Sequence, residues 1–302
     1  MSHAQLPPIG EVEVAAPAEA AEKVEQAAHD AEDPRVAAMP LLIALDLDGT
    51  VLLEDETLSS GVFDAVAEAR EAGHEVMVAT GRSWEGTVDV LALLQIAPEF
   101  VVCSNGAVVL KRVSIEPLEY ERFKVETFDA TDVLQLLRAQ LPDAHYLVEL
   151  ADGARRYTDF LPDWKLERTE KVLFEELATD HVCRVVVVAP DQHEKDFSAI
   201  VESIGLHHVS YAVGFTAWLD IAPKDIDKGT GLELVRTELG IAPDHVMVIG
   251  DGRNDLGMFR WALQNGGRAV AMRQAPQEVL DAAGEMTLSV EEGGVAAILR
   301  SL

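Results

Sequence analysis

The sequence predicts an α/β fold: a doubly wound parallel sheet, covered by helices on both faces, with a second α/β domain inserted into it. Three observations lead there. From Leu41 onward, short apolar runs alternate with amphipathic stretches of helical period, the pattern of strands buried on both faces of a parallel sheet. The alternation breaks between about residues 112 and 221 and then resumes. Polar residues able to do chemistry recur at the ends of the runs, which is where open α/β sheets bind ligands.

The bulk properties agree. A chain of 302 residues suggests about two domains. With 48% hydrophobic and 25% charged residues, it has the composition of a globular protein with a sizeable core. The net charge of −29 argues against nucleic acid and anionic membranes as partners, because both need clustered Lys and Arg. It does not exclude a small phosphorylated metabolite, since a metal and a few local cations can reverse the field inside one cleft. Cys103 and Cys183 each sit in an apolar run and read as buried thiols, with a disulfide between them left open. The nine histidines show no ligand spacing, and His207-His208 are read as core or surface residues. No basic stretch leads into an apolar one near Met1, and no apolar run approaches the length of a membrane span, so the expected location is the cytoplasm.

Along the chain, residues 1–39 come first. They are rich in Ala, Glu and Pro, lack aromatics and carry eight acidic against two basic residues. They read as a disordered acidic extension, with a solvated helix near Ala18–Ala31. Strand-like runs follow at Leu41–Leu47, His74–Ala79, Phe100–Ser104, His245–Ile249 and Arg268–Met272. Helical patterns lie between them at Gly61–Glu71, Trp84–Leu94 and Gly229–Leu239. The break contains its own strands, Tyr146–Leu150 and Arg184–Val188, and helices, Thr131–Gln140 and Glu194–Ile204. The expected domains are therefore a core of residues 40–111 and 222–302, with residues 112–221 inserted.

Four motifs carry the chemistry, three of them at strand ends. The first run ends in Asp46-Leu47-Asp48-Gly49-Thr50. If strand geometry persists to Asp48, both carboxylates point to one side. A metal ion or a reacting phosphoryl group would then neutralise them, one attacking while the other moves the proton. A plain Asp-Gly turn fits the same residues. Thr80-Gly81-Arg82 closes the second run, where a hydroxyl and a Gly N–H can hold a phosphoryl oxygen. The competing reading is an ordinary turn, with Arg82 clamping a substrate or only capping the chain. Lys228 precedes a helical pattern, a position unfavourable to the helix dipole unless it faces an anion, and Lys224 competes for that role. Gly250-Asp251-Gly252-Arg253-Asn254-Asp255 puts two carboxylates and an amide in a tight loop, suited to magnesium. Asp255 also suits the start of a helix.

With these motifs the chain resembles the haloacid dehalogenase (HAD) superfamily, and within it the Cof-type phosphatases. The likeness covers about residues 40–302 and includes Ser104-Asn105-Gly106-Ala107, Lys228-Gly229, Val270-Ala271-Met272 and Gly294-Val295-Ala296. It implies a HAD-like core with a large α/β cap and a phosphatase mechanism. Asp46 is then the nucleophile, Asp48 the acid and base, and Thr80 and Lys228 hold the transferring group. Mg2+ is held by Asp46, the main chain of Asp48, Asp251 and Asp255. Gly49, Gly81, Arg82, Asn105 and Asn254 are the expected substrate-binding residues. One departure stands out. Where the family has Gly-Asn-Ala after Ala271-Met272, this chain has Arg273-Gln274-Ala275, which alters the substrate side of the cleft. The resemblance leaves two alternatives, a phosphomutase like the phosphomannomutases or a non-catalytic binding protein. Arg155, Arg156, Tyr157 and Trp164 are further candidates for substrate contact.

Overall fold

The computed structural model describes residues 40–159, 168–177, 181–206, 209–213 and 217–302. The expectations for residues 1–39, Trp164 and His207-His208 lie outside the described residues. Leu41–Leu302 form one unit. In chain order it begins β1 (Leu42–Leu45), α1 (Val62–Glu71), β2 (Glu75–Val78), α2 (Trp84–Leu94) and β3 (Phe100–Cys103). A ribbon of β4 (Val108–Ile115) and β5 (Leu118–Val125) follows. Next come α3 (Thr131–Gln140), β6 (His145–Leu150), β7 (Arg155–Tyr157), β8 (Thr169–Lys171), β9 (Val182–Val188), α4 (Glu194–Ile204), β10 (Val209–Val213) and β11 (Trp218–Pro223). The chain closes with α5 (Lys228–Glu238), β12 (Val246–Gly250), α6 (Leu256–Gln264), β13 (Arg268–Ala271), α7 (Gln277–Ala282), β14 (Glu285–Met286) and α8 (Gly294–Leu299).

The central sheet has the order β14-β13-β12-β1-β2, all parallel. Its strands are apolar throughout because each buries both faces. Ile43 and Leu45 of β1 join Val76, Val78, Met247, Ile249 and Val270 under α1, α2 and α8. Their neighbours Leu42 and Ala44 point the other way, joining Met77, Val246, Val248 and Ala269 under α5, α6 and α7. This strict alternation is the two-residue period of a strand, and it makes the sheet doubly wound as expected. From β1 the chain builds outward through β2. After the long insertion it restarts on the other side of β1 with β12, then builds outward again. Doubly wound sheets bind ligands at such a reversal, beyond the carboxyl ends of the strands that flank it, here β1 and β12.

Two expectations about the sheet need correcting. The third run is not a full member of the parallel sheet: β3 pairs antiparallel with β4 and touches the core sheet through one parallel bridge, Ala79 to Val102. The first run stops pairing as a strand at Leu45 rather than Leu47.

The insertion carries a six-stranded sheet of order β10-β11-β9-β6-β7-β8, antiparallel except for β7 against β8. One face is covered by α3 and α4, with Tyr146, Val148, Val185, Val187, Leu219 and Ile221 beneath them. The opposite face carries Leu147, Val186, Val188, Tyr157 and Trp218. Among the described residues, no helix is long and apolar enough to cross a membrane.

Candidate active site

The turn after β1 separates the two aspartates that open the site. Asp46 N still donates to Ile249 O of β12 at 2.9 Å. The chain then folds on itself: the N–H groups of Thr50, Val51 and Leu52 all donate to Leu47 O, at 3.2, 2.9 and 2.8 Å. Gly49 makes this possible with φ +75°, and a Cβ there would lie 2.2 Å from Asp251 Oδ2. Regular strand geometry ends before Asp48, so the turn, and not the alternation of a strand, places its carboxylate. Asp46 is buried, while the Asp48 side chain is 60% exposed.

Asp46 turns to Lys228. The ammonium of Lys228 is wholly buried and donates to Asp46 Oδ1 at 2.5 Å and to Asp255 Oδ1 at 2.6 Å. Lys228 opens α5, whose N-cap Asp227 accepts from Thr230 N at 3.0 Å. The capping satisfies the helix end and leaves the lysine to face the acids. Lys224 is exposed. Asp255 lies in the short 3-10 turn Arg253–Asp255 that leads into α6. Its Oδ2 accepts from the N–H groups of Asp251 and Gly252 at 2.9 and 2.8 Å, so it shapes its own loop as well as binding Lys228.

Thr80 is wholly buried after β2, and its hydroxyl accepts from Arg82 N at 3.1 Å. Asn105, in the left-handed region at φ +53°, donates its backbone N–H to Thr80 O at 3.0 Å and accepts from Asn254 Nδ2 at 3.1 Å. Its amide packs closely on Gly81: a Cβ there would sit 3.1 Å from Asn105 Oδ1, a tight contact. Arg82 reaches across to Asp48, with Nε 2.9 Å from Oδ2, and to Glu56 at 3.1 Å.

The predicted residues thus fall into two groups. Asp46, Asp251, Asp255 and Lys228 form one buried cluster, in which an oxygen from each of the three carboxylates lies within 4.8 Å of the others. The Asp48 carboxylate stands outside it with Arg82. Electrostatics inside the cluster are unbalanced. Burial, reinforced by Asp255, pushes the Asp251 carboxyl up to about 7. Burial and Asp255 also hold Asp46 well above the usual carboxylate range, against the pull of Lys228. Burial works against the charge of Lys228, but Asp255 and Asp46 outweigh it and raise its pKa. Three acids facing one ammonium are short of positive charge. An all-oxygen donor set of this kind fits a hard divalent cation.

The sequence profile of the haloacid dehalogenase-like hydrolases matches residues 43–299. The chain belongs to that family. Among proteins similar to this hydrolase is the 5-amino-6-(5-phospho-D-ribitylamino)uracil phosphatase YitU of Bacillus subtilis, 26% identical over 86% of this chain and 97% of its own. Phosphatase YwpJ of the same organism is 25% identical over 86% and 99%. Of solved structures, a haloacid dehalogenase-like hydrolase from B. subtilis superposes with a TM-score of 0.70 at 23% identity, covering 86% of this chain and 99% of that one. A HAD subclass IIB sugar phosphatase gives 0.69 at 19%, covering 86% and 98%. The expected Cof-type phosphatase family and its capped α/β fold are borne out.

Some residues of this hydrolase's site were not singled out from the sequence. Thr50 Oγ1 donates to Asp251 Oδ1 at 3.4 Å. Gln274 donates to Gly49 O at 2.6 Å and to Asp251 Oδ2 at 3.3 Å, and accepts from Val290 N at 3.1 Å. The sequence signal for Gln274 is the family departure at Arg273-Gln274-Ala275. Arg273 pairs with Glu292 at 2.8 Å. Glu56 carries no sequence signal, since it acts through Arg82, distant in the chain.

Proposed function

We propose that the protein is a magnesium-dependent phosphatase of small phosphorylated metabolites, sugar phosphates or related monoesters, working through an aspartyl-phosphate. The observation that carries this reading is the division of labour between Asp46 and Asp48. One is buried against Lys228 in the acidic cluster; the other is exposed and aimed by Arg82.

In the first half-reaction the Asp46 carboxylate attacks phosphorus and the bond to the ester oxygen breaks. Asp48 gives that oxygen a proton. In the second, Asp48 takes a proton from water as the water attacks the phosphorus, which releases inorganic phosphate and restores Asp46. Lys228 offsets charge on Asp46, while Thr80, Gly49, Gly81, Asn105 and Asn254 surround the transferring group. Asp46, Asp251, Asp255 and the Asp48 main chain are the residues to hold Mg2+, which when bound neutralises phosphoryl charge. Arg82 keeps Asp48 from turning away.

The name of the B. subtilis relative, a phosphatase of a phosphorylated ribityl compound, supports a polyhydroxylated monoester as substrate. In this reading residues 40–111 and 222–302 do the chemistry, residues 112–221 form the cap that meets the leaving group, and the protein works in the cytoplasm. The test is phosphate release from a panel of phosphomonoesters, with and without Mg2+, by wild type and Asp46→Asn. Magnesium-dependent release that the substitution abolishes is expected. Wild type inert on every ester, or an active Asp46→Asn, would overturn the reading.

A further inference from the structure

Glu149 lies outside the cluster described above, yet its side chain is wholly buried. It sits on β6 of the cap sheet and faces the core. Its Oε2 accepts from Ser104 Oγ at 3.0 Å, and its Oε1 from Arg122 Nη2 at 3.0 Å. Arg122 belongs to β5, in the ribbon that leads from the core to the cap. A buried ion pair is a weak source of stability, because desolvation opposes the attraction. This one is not even fully satisfied, since Arg122 Nη1 is buried without a hydrogen-bond partner. Its position therefore invites a role other than holding the fold.

What Glu149 touches supplies that role. Ser104 immediately precedes Asn105, and both stand in the left-handed region, at φ +50° and +53°. Such backbone is costly for residues other than glycine and persists only where its surroundings hold it. From below it is held by the backbone: Ser104 N donates to Arg82 O and Asn105 N to Thr80 O, at 2.9 and 3.0 Å. From above, Glu149 is the side-chain acceptor of Ser104. The strained pair in turn carries the Asn105 amide, which binds Asn254 and closes over Gly81. A chain of direct contacts thus runs from the cap sheet through Glu149 and Ser104 to the phosphoryl pocket. A second tether, Arg155 Nη1 to Ser83 Oγ at 3.4 Å, crosses the same seam.

We infer that Glu149 is a positioning residue: seated on Ser104, it sets the Asn105 turn, so that the phosphoryl pocket is complete only with the cap sheet in place. This rests on the phosphatase reading. Misplacing a group by about 1 Å can lower a rate by about a hundredfold, so loss of one hydrogen bond that orients the turn is expected to cost roughly tenfold.

Ser104→Ala removes the contact and leaves the Glu149–Arg122 pair intact. Glu149→Gln and the double variant complete a cycle. Three readouts apply: orthovanadate affinity in the presence of Mg2+, kcat on the best ester, and the thermal midpoint. Ser104→Ala is expected to bind orthovanadate and turn over about tenfold less well, with its midpoint near that of wild type. The double variant should be no worse than the poorer single one. Wild-type affinity and kcat in Ser104→Ala, or effects that add in the double variant, would overturn the inference. If Glu149→Gln does not fold, Ser104→Ala decides alone. Wild-type turnover is measured in the same series, so failure of the phosphatase reading shows itself separately, as an inert wild type.

Discussion

The guanidinium of Arg82 holds both carboxylate oxygens of Asp48, Nε reaching Oδ2 at 2.9 Å and Nη2 reaching Oδ1. Asp48 is exposed, so without this fork its side chain would sample many rotamers. Lysine cannot reproduce two parallel donors. Arg82→Lys is expected to lower kcat by about tenfold or more, with a smaller change in KM. Steady-state kinetics check this, and an unchanged kcat would remove Arg82 from the positioning of Asp48.

Lys228 stands between two buried acids, so its loss acts on stability as well as on rate. Lys228→Met leaves Asp46 and Asp255 facing each other without a counter-charge. Removing one partner of a buried pair typically destabilises by about 3–5 kcal/mol. Urea unfolding of the metal-free protein should show a loss of that order, and phosphate release should disappear. A variant as stable as wild type would mean the acids are already protonated in the folded chain.

The metal-free protein has a specific pH dependence. Asp251 binds its proton more tightly folded than unfolded, its pKa being about 7 against an ordinary 3.8. Between those values the folded state carries a proton that the unfolded state lacks. Stability therefore falls as pH rises from about 4 to about 7. Burial and Asp255 shift Asp46 the same way. Saturating Mg2+ should flatten this slope, because a bound cation favours the ionised acids. Thermal midpoints measured across that range, with and without Mg2+, test both statements. A metal-free midpoint that climbs through the same window would contradict the first.

Gln274 links three segments: the turn after β1, the carboxylate of Asp251 and the chain at Val290. Groups that orient a metal-binding carboxylate commonly affect metal affinity by about 10–100-fold. Gln274 is exposed, so water can partly replace it. Gln274→Ala is expected to weaken Mg2+ binding by about tenfold or less, read by calorimetry on the protein without substrate. Affinity equal to wild type would confine Gln274 to holding the loop at Val290.

Much of this was legible because local pattern and burial coincide in a parallel sheet. Leu42–Leu45 and Val246–Gly250 are apolar at every position because both faces are covered, and the runs could be read directly. Asp46 and Asp251 were legible because each directly follows such a run, with Asp48 and Asp255 close behind. What sequence could not show was where a strand stops. The convergence of three N–H groups on Leu47 O, which parts Asp46 from Asp48, depends on Gly49 fitting against Asp251, some two hundred residues away. The membership of β3 was misread for a related reason. Its apolar run has the same composition as a core strand, but its partner is the neighbouring β4. Glu149 was invisible because nothing in Val148-Glu149-Leu150 marks a glutamate that meets Ser104, 45 positions earlier.

The restart of the sheet on the far side of β1 has a consequence for synthesis. β1 is bordered by β2 and β12, and β12 is made only after the whole insertion. While the chain leaves the ribosome, β1 has one open edge until Val246–Gly250 appear. The cap sheet is drawn from one continuous stretch, His145–Pro223, so its strands are all available before the core can close. Asp46 waits for Lys228, Asp251 and Asp255 over the same interval. On the proposed reading, the cluster is complete only once Asp255 has been made, and a chain truncated before it is expected to release no phosphate.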